Sequence, residues 1–365
     1  MELKKVLPLI RPQVRNLTAY HLDRVECDIK LNQNENPFDW PGNVKNEVAE
    51  FVKERFWNRY PSFIPVDLKK SIADYCDVCS ENIIVGNGSN EMLLVLLLAL
   101  MEKETPVIAC QPTFTVYNLL VNGLGGTPRT VMLDENLRYD CDAICSACEE
   151  SPEAVLIIAS PNNPTGTSLK KEQLEKILSV HKGFFILDQA YVEFGGFNAV
   201  PLIDKYPNCI ITRTFSKALG AAGLRLGYMI GNKEVIAEIN KIKLPYNINF
   251  FSEKTAQVLL ENRSYVTEKV TGLIAERNDL YGFFSKLPFD NCYSSDTNFI
   301  LVRTAGKNEL FKYLKSKGIL VRDVSSYPML ENCLRINIGT ARENQALKHA
   351  CEEFFAKSKT PVSGS

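Results

Sequence analysis

The chain has almost no net charge. Its 42 Lys and Arg against 43 Asp and Glu leave −1 at pH 7, so no general electrostatic pull toward nucleic acid or an anionic membrane is expected. Long apolar runs are missing too. The longest, Met92 to Met101, is too short to span a bilayer and is expected to be a buried helix. The opening "MELKKVLPLIRPQ" has few apolar residues before Arg11 and makes a poor signal peptide, so a cytoplasmic protein is expected. Internal repeats and low-complexity tracts are absent. Cysteine, by contrast, is not scarce. There are 11, an odd count with no visible export signal, which points to reduced thiols rather than a disulfide framework. Cys76-x-x-Cys79 and Cys145-x-x-Cys148 are too far apart, and lack the glycine-rich knuckles, for a zinc ribbon, so no metal is expected. The closing "KTPVSGS" (359–365) is expected to be a flexible tail.

What remains is ordinary globular material: 365 residues, 45% hydrophobic and 23% charged, enough for one large or two medium domains. From about 82 to 230, short apolar runs alternate with helical patterns. "NIIVGNGSNEMLLVLLLALM" reads as strand, glycine loop and helix. "TPVIAC" (105–110), "AVLIIAS" (154–160), "GFFILD" (183–188) and "CIITRT" (209–214) read as strands covered on both faces. "KKEQLEKILSVH" (170–181) is an amphipathic helix between two of them. This alternation predicts an α/β domain with a mostly parallel sheet. After about residue 255 the pattern changes to a smaller α+β domain. It begins with one long helical pattern from Ser252 to about Ser285 and continues through "TNFILVRT", "NELFKYLKSKGILVRD" and "LRINIGT". The expected division is an N-terminal segment (1–44) joining the small domain, a large domain (45–254), a small C-terminal domain (255–358) and the tail.

In such sheets ligands sit beyond the carboxyl ends of the strands, and here each strand end carries a chemically suggestive group. "VGNGSNE" offers glycines, then Ser89 and Asn90 opening a helix whose free N–H groups suit a phosphate; an ordinary capped turn fits equally well. "QPTF" places Phe114 at the rim, where a core role is the common alternative. "SPNNPTG" presents Asn163 rigidly. "LDQAY" ends an apolar strand on Asp188, with Tyr191 three residues on; a buried carboxylate is costly unless a cation pairs with it, although helix capping would also use one. "TFSKALGAAGLRLGY" sets Lys217 among small uncharged residues, with Thr214 and Ser216 before it and Arg225 after it. A solvated surface lysine does not need that setting; a lysine that must lose its proton and bond to a ligand does. One ligand uses all of these groups: pyridoxal 5′-phosphate. It needs a lysine for its aldehyde, a carboxylate for its ring nitrogen, an amide and phenol for its ring oxygen, an aromatic to stack on and a phosphate cradle.

At these residues the chain resembles the fold-type I pyridoxal-phosphate aminotransferases of class II, and within them the histidinol-phosphate aminotransferase family. The resemblance runs from "VRNLTAYHLDR" (14–24) to "CLRINIGTAREN" (333–344) through "LNQNENPF", "NRYP", "SPNNPTG", "DQAYVEF", "RTFSKALGAAGLRLGY" and "GILVRD". It implies that Lys217 bonds the cofactor and later acts as general base, that Asp188 pairs with the ring nitrogen, and that Tyr191 and Asn163 contact the ring hydroxyl. Phe114 stands where the family often has a stacked Tyr. Ser89, Asn90, Thr214, Ser216 and Arg225 would surround the cofactor phosphate. Tyr60 of "NRYP" would reach the phosphate of the partner subunit's cofactor, which implies a homodimer. Arg335 would hold the substrate carboxylate, and Tyr20 with Arg322 the phosphate of histidinol phosphate. The implied reaction is a ping-pong exchange in histidine biosynthesis with 2-oxoglutarate and glutamate as the second pair, without nucleic acid or membrane as partners. One departure is Gln189, where the family often has Glu. The rivals are an L-threonine-O-phosphate decarboxylase and a broad aromatic amino-acid aminotransferase, against which "NLTAY" and "ILVRD" weigh. A DNA-binding regulator would need an added basic helix-turn-helix module, for which there is little room before the α/β domain.

Overall fold

The computed structural model describes residues 3–18 and 26–358. Thirteen strands are present among them. β1 is Ile29–Lys30, β2 Ile83–Gly86, β3 Pro106–Gln111, β4 Thr127–Met132, β5 Val155–Ala159, β6 Phe185–Asp188, β7 Cys209–Thr214 and β8 Gly227–Ile230. β9 is Asn291–Tyr293, β10 Phe299–Arg303, β11 Ile319–Leu320, β12 Arg322–Asp323 and β13 Cys333–Asn337.

Seven strands form the main sheet, in the order β2-β8-β7-β6-β5-β3-β4. All pair in parallel except β8, which runs antiparallel between β2 and β7. The central strands are buried along their whole length because alternate residues feed two separate apolar layers. Val155 and Ile157 of β5 join Ile186, Ile210 and Met229 under the helix Ser89–Leu100. Leu156 and Ile158 join Phe185, Leu187 and Ile211 on the opposite face, against the helix Lys171–Val180. A residue repeat of two with both faces apolar reads as a continuous run.

Two strands of this sheet escaped the sequence reading. β4 is a sheet edge, largely exposed and interrupted by Pro128, so it carries no apolar signature. β8 is four residues long and starts on Gly227. That glycine is required: a Cβ there would stand 2.3 Å from the Ser89 nitrogen, so its absence lets the helix Ser89–Leu100 begin directly against the sheet.

The smaller unit is an antiparallel sheet, β12-β13-β10-β9, packed with the helices Arg263–Phe284, Lys307–Ser316 and Ala341–Ser358. β1 pairs in parallel with β11. The single long helix expected from Ser252 is in fact two, Phe250–Glu261 and Arg263–Phe284. The break falls at Asn262, whose side-chain amide donates to the Val258 carbonyl at 2.8 Å, a local bond that competes with helix continuation. Residues 31–36 run from β1 over the carboxyl ends of the main sheet. The Asn34 N–H donates to Asn337 Oδ1 (2.8 Å) on β13, and Asn36 Nδ2 donates to the Ala218 carbonyl (3.0 Å) beside Lys217.

Candidate active site

A cavity of about 490 Å³ opens at the carboxyl ends of the parallel strands, between the main sheet, the 31–36 segment and β12–β13. Ser89 and Asn90, from the turn after β2, lie on its wall; so do Phe114 after β3 and Asn163 after β5. Asp188 ends β6 and Tyr191 follows it. Thr214, Ser216, Lys217 and Arg225 come from β7 and the loop beyond, and Arg322 and Arg335 from the small sheet. Tyr60 is not on this wall. It is 78% exposed and stacks on Tyr246 with ring centroids 4.7 Å apart. Tyr20 lies outside the described residues.

Lys217 is the centre of the arrangement. Its Nζ donates to the Gln33 carbonyl at 3.3 Å and stands 5.7 Å from the centroid of the Tyr191 ring. Burial above all, then the nearby Arg335 and Arg225 charges, lowers its pKa to about 8, while Glu35 and Asp188 act the other way. Asp188 is buried. It accepts from the Tyr117 hydroxyl at 2.7 Å and from the Ala190 N–H at 3.0 Å. Burial raises its pKa above the usual carboxylate value, against the pull of those two bonds. Among the described residues it has no ion-pair partner. The Tyr191 hydroxyl, pushed up to about 12 chiefly by burial, accepts from Asn34 Nδ2 at 2.8 Å.

At the other end of the Lys217 loop, Arg225 has a left-handed backbone (φ 53°) and donates through Nη1 to Ser216 Oγ (3.3 Å) and the Ala222 carbonyl (3.0 Å). The Ser216 N–H donates to Thr214 Oγ1 at 3.1 Å. Gly88, at φ 82°, begins the helix Ser89–Leu100 without a capping side chain, and a Cβ there would sit 3.0 Å from Arg225 Nη2. The first N–H groups of a three-turn helix, two hydroxyls and a guanidinium thus face one place, a cradle for a phosphate.

The opposite wall is built across a strand pair. Arg322 and Arg335 are direct partners in the β12–β13 ladder, an unfavourable placement of like charges unless an anion comes between them. Arg335 donates to Asn163 Oδ1 (2.6 Å) and to the Asn32 carbonyl (2.9 Å), and lies over the Phe299 ring. Arg322 has no ion-pair partner among the described residues. The neighbouring Asp323 is held by Lys307 at 2.6 Å. Gln189 points away from the cavity; its side chain donates to the Phe197 carbonyl (2.7 Å) and accepts from Arg213 (2.9 Å).

Among the wall residues that escaped the sequence reading are Asn34, Glu35, Tyr117 and Tyr327. Tyr117 could have been found. It follows Phe114 by three positions, at the start of the helix Val116–Leu124, and meets it edge-on at 5.7 Å. The amide-rich "NQNEN" was itself a signal of buried hydrogen bonding. Tyr327 carried no signal.

Residues 27–354 match the family described as aminotransferase class I and II, and the chain belongs to that family: it is an aminotransferase. Within it, the chain is 38% identical to the histidinol-phosphate aminotransferase of Chlorobaculum tepidum, over 93% of its own length and 98% of that protein. The crystal structure of the histidinol-phosphate aminotransferase from Clostridium acetobutylicum superposes with a TM-score of 0.82 at 26% identity, covering 90% of this chain and 99% of that one. The enzyme of that name from Sinorhizobium meliloti, solved in complex with pyridoxal-5′-phosphate, gives a TM-score of 0.85 at 23% identity over 95% and 97% of the two chains. At that identity the likeness concerns the fold.

Proposed function

We propose that the protein is a pyridoxal-phosphate-dependent transaminase of histidine biosynthesis, which moves the amino group of L-histidinol phosphate to 2-oxoglutarate and yields imidazole acetol phosphate and L-glutamate. The observation that carries this reading is the opposed pair Arg322 and Arg335 on the wall of the cavity that holds Lys217. The two substrates differ in their anions: L-histidinol phosphate carries one phosphate and no carboxylate, 2-oxoglutarate two carboxylates. The planar guanidinium fork donates bidentately to phosphate or carboxylate.

The residues present fit the cofactor. Asp188 is a sequestered carboxylate with a raised pKa and no salt-bridge partner among the described residues; a protonated ring nitrogen supplies one. The cradle of Ser89, Asn90, Thr214, Ser216 and Arg225 would hold the phosphate, with Gly88 leaving room for Arg225. Asn163 and Tyr191 would contact the ring oxygen and Phe114 the ring face. When bound, pyridoxal phosphate supplies an aldehyde to the amine and a ring that accepts the electron pair left at the substrate carbon. The protein's part is positional and acid–base. Lys217, with its amine near pKa 8, is deprotonated in a useful fraction near neutral pH and takes the proton of the substrate Cα at Nζ. Asp188 keeps the ring nitrogen charged. Tyr117 and Ala190 orient that carboxylate. Arg322, Arg335 and Tyr20 hold the substrate anion, and the tie from Arg335 to Asn163 couples anion binding to the ring contact.

We also place the enzyme in the cytoplasm, as a homodimer, with neither nucleic acid nor membrane as a partner. Among the described residues no helix is long and apolar enough to cross a membrane. Tyr60 stands in an exposed aromatic group with Tyr246 and Phe63, an apolar area of the kind that marks an interaction surface. In the dimer it would serve the partner's site.

The test is a half-reaction. Cofactor-loaded protein is mixed with L-histidinol phosphate and no keto acid, and the aldehyde-form absorbance is followed. Its rapid loss, at far lower concentration than with phenylalanine, is expected. No loss, or carbon dioxide release from phosphothreonine, would overturn the substrate assignment.

A further inference from the structure

Among the described residues the cavity wall carries four cations, Lys217, Arg225, Arg322 and Arg335, and two carboxylates, Asp188 and Glu35. Asp188 is 5% exposed, and its oxygens are taken by Tyr117 and Ala190. Glu35 differs. Its side chain is 41% exposed, and one oxygen, Oε2, meets Lys30 Nζ at 2.6 Å. The backbone that carries it is firmly placed: the Glu35 carbonyl accepts from Asn298 Nδ2 at 3.4 Å, and both chain neighbours are anchored through Asn337 and Ala218. Glu35 lines the same cavity as Lys217, and its negative charge opposes the lowering of the Lys217 pKa.

An accessible carboxylate in a cavity built for anions repels part of what the cavity must bind. Such a group is useful only if one substrate brings a donor to it. In the proposed reaction the phosphate and carboxylates go to arginines and the amine goes to the Lys217 position. The imidazole N–H of the donor is left.

We infer that Glu35 reads the imidazole ring of the amino donor, and that Lys30 holds this carboxylate aside when the dicarboxylic acceptor occupies the same cavity. The inference rests on the histidinol-phosphate reading above. The Lys30–Glu35 pair is half-exposed on both sides (46% and 41%), so it is weak and readily exchanged. The carboxylate therefore has two stations, the Lys30 ammonium and the substrate ring. A ring without an N–H gains nothing at the second station, and this sets imidazole apart from phenyl.

The test compares L-histidinol phosphate with L-phenylalaninol phosphate, the same ester with phenyl in place of imidazole, on the holoenzyme. In Glu35→Gln the ratio of their kcat/KM values is expected to fall about tenfold or more, the scale of one hydrogen bond to a charged group, while kcat/KM for glutamate rises as the repulsion is removed. In Lys30→Met the KM for 2-oxoglutarate is expected to rise a few-fold and that for histidinol phosphate to fall. A readout without turnover accompanies these: the pH titration of substrate-free Glu35→Gln moves to lower pH, because a neighbouring anion has gone. An unchanged donor ratio in Glu35→Gln, or equal losses for both esters, overturns the inference and leaves the functional reading standing. A wild-type enzyme that does not turn over histidinol phosphate overturns both.

Discussion

The two ends of the cavity are built on different principles. The end that would hold the cofactor comes from the carboxyl ends of neighbouring parallel strands, and its groups are buried and hydrogen-bonded: Asp188 to Tyr117, Ser216 to Thr214 and Arg225. The end that would hold the substrate comes from β12, β13 and the 31–36 segment, about 300 residues apart in the chain, and it sets like charges against one another. The first end is closed by its own hydrogen bonds; the second carries Arg322, which has no ion-pair partner among the described residues. Asn163, bonded to Arg335 at 2.6 Å, joins the two.

Breaking the centre should have the largest effect. Lys217→Ala is expected to lower the half-reaction rate by about 10³-fold or more, as for loss of a general base, measured by the single-turnover absorbance change. In the cofactor-free protein, labelling of Lys217 by an amine acylating reagent should rise with pH through a midpoint near 8, because only the neutral amine reacts. A midpoint near the ordinary lysine value of 10.5 would show that burial does not act as described.

The substrate end should break selectively. Arg322→Ala is expected to lower kcat/KM for histidinol phosphate by about 10- to 100-fold, the scale of lost charge-assisted hydrogen bonds, with the cofactor absorbance retained. An unchanged catalytic efficiency would refute the assignment.

The cofactor end should respond differently. Tyr117→Phe removes the hydroxyl that supports the Asp188 charge, so the Asp188 pKa rises further and the ring nitrogen loses part of its counter-charge. Cofactor affinity is expected to weaken by about tenfold, measured by equilibrium dialysis, with little change in the preference among amino donors. A change in donor preference would place Tyr117 at the substrate end.

The smallest effect on the protomer belongs to Tyr60→Ala. An exposed side chain contributes within about 0.5 kcal/mol to folding, so the thermal midpoint should barely move. Self-association measured by sedimentation should weaken, and cofactor retention on dilution should fall with it. Unaltered association and retention would remove Tyr60 from the interface.

Legibility in the sequence follows the same division. The cofactor end is readable because each group follows a continuous apolar run, and a parallel sheet brings all such ends to one edge. Asp188 after "FFIL" and Lys217 after "CIITRTFS" need no long-range information. The substrate end is not readable in this way. Arg322 and Arg335 stand out only through resemblance to a family, and nothing local says that they oppose each other. Glu35 looks like one polar residue in a polar stretch until β1 pairs with β11 and carries it over the sheet. The edge strand β4 and the short β8 were missed for a related reason: a strand without a buried run has no local signature.

The sequence by itself determined the α/β class, the strand ends and the kind of chemistry they carry, because burial and periodicity are local properties of the chain. Only the tertiary structure decided which residues share the cavity: that Tyr117 reaches Asp188, that Glu35 lines the Lys217 cavity while touching Lys30, and that two arginines stand opposite each other on neighbouring strands. The reason is physical. Charges and hydrogen bonds act over a few ångströms in space, and only folding turns sequence separations of tens to hundreds of residues into distances of that order.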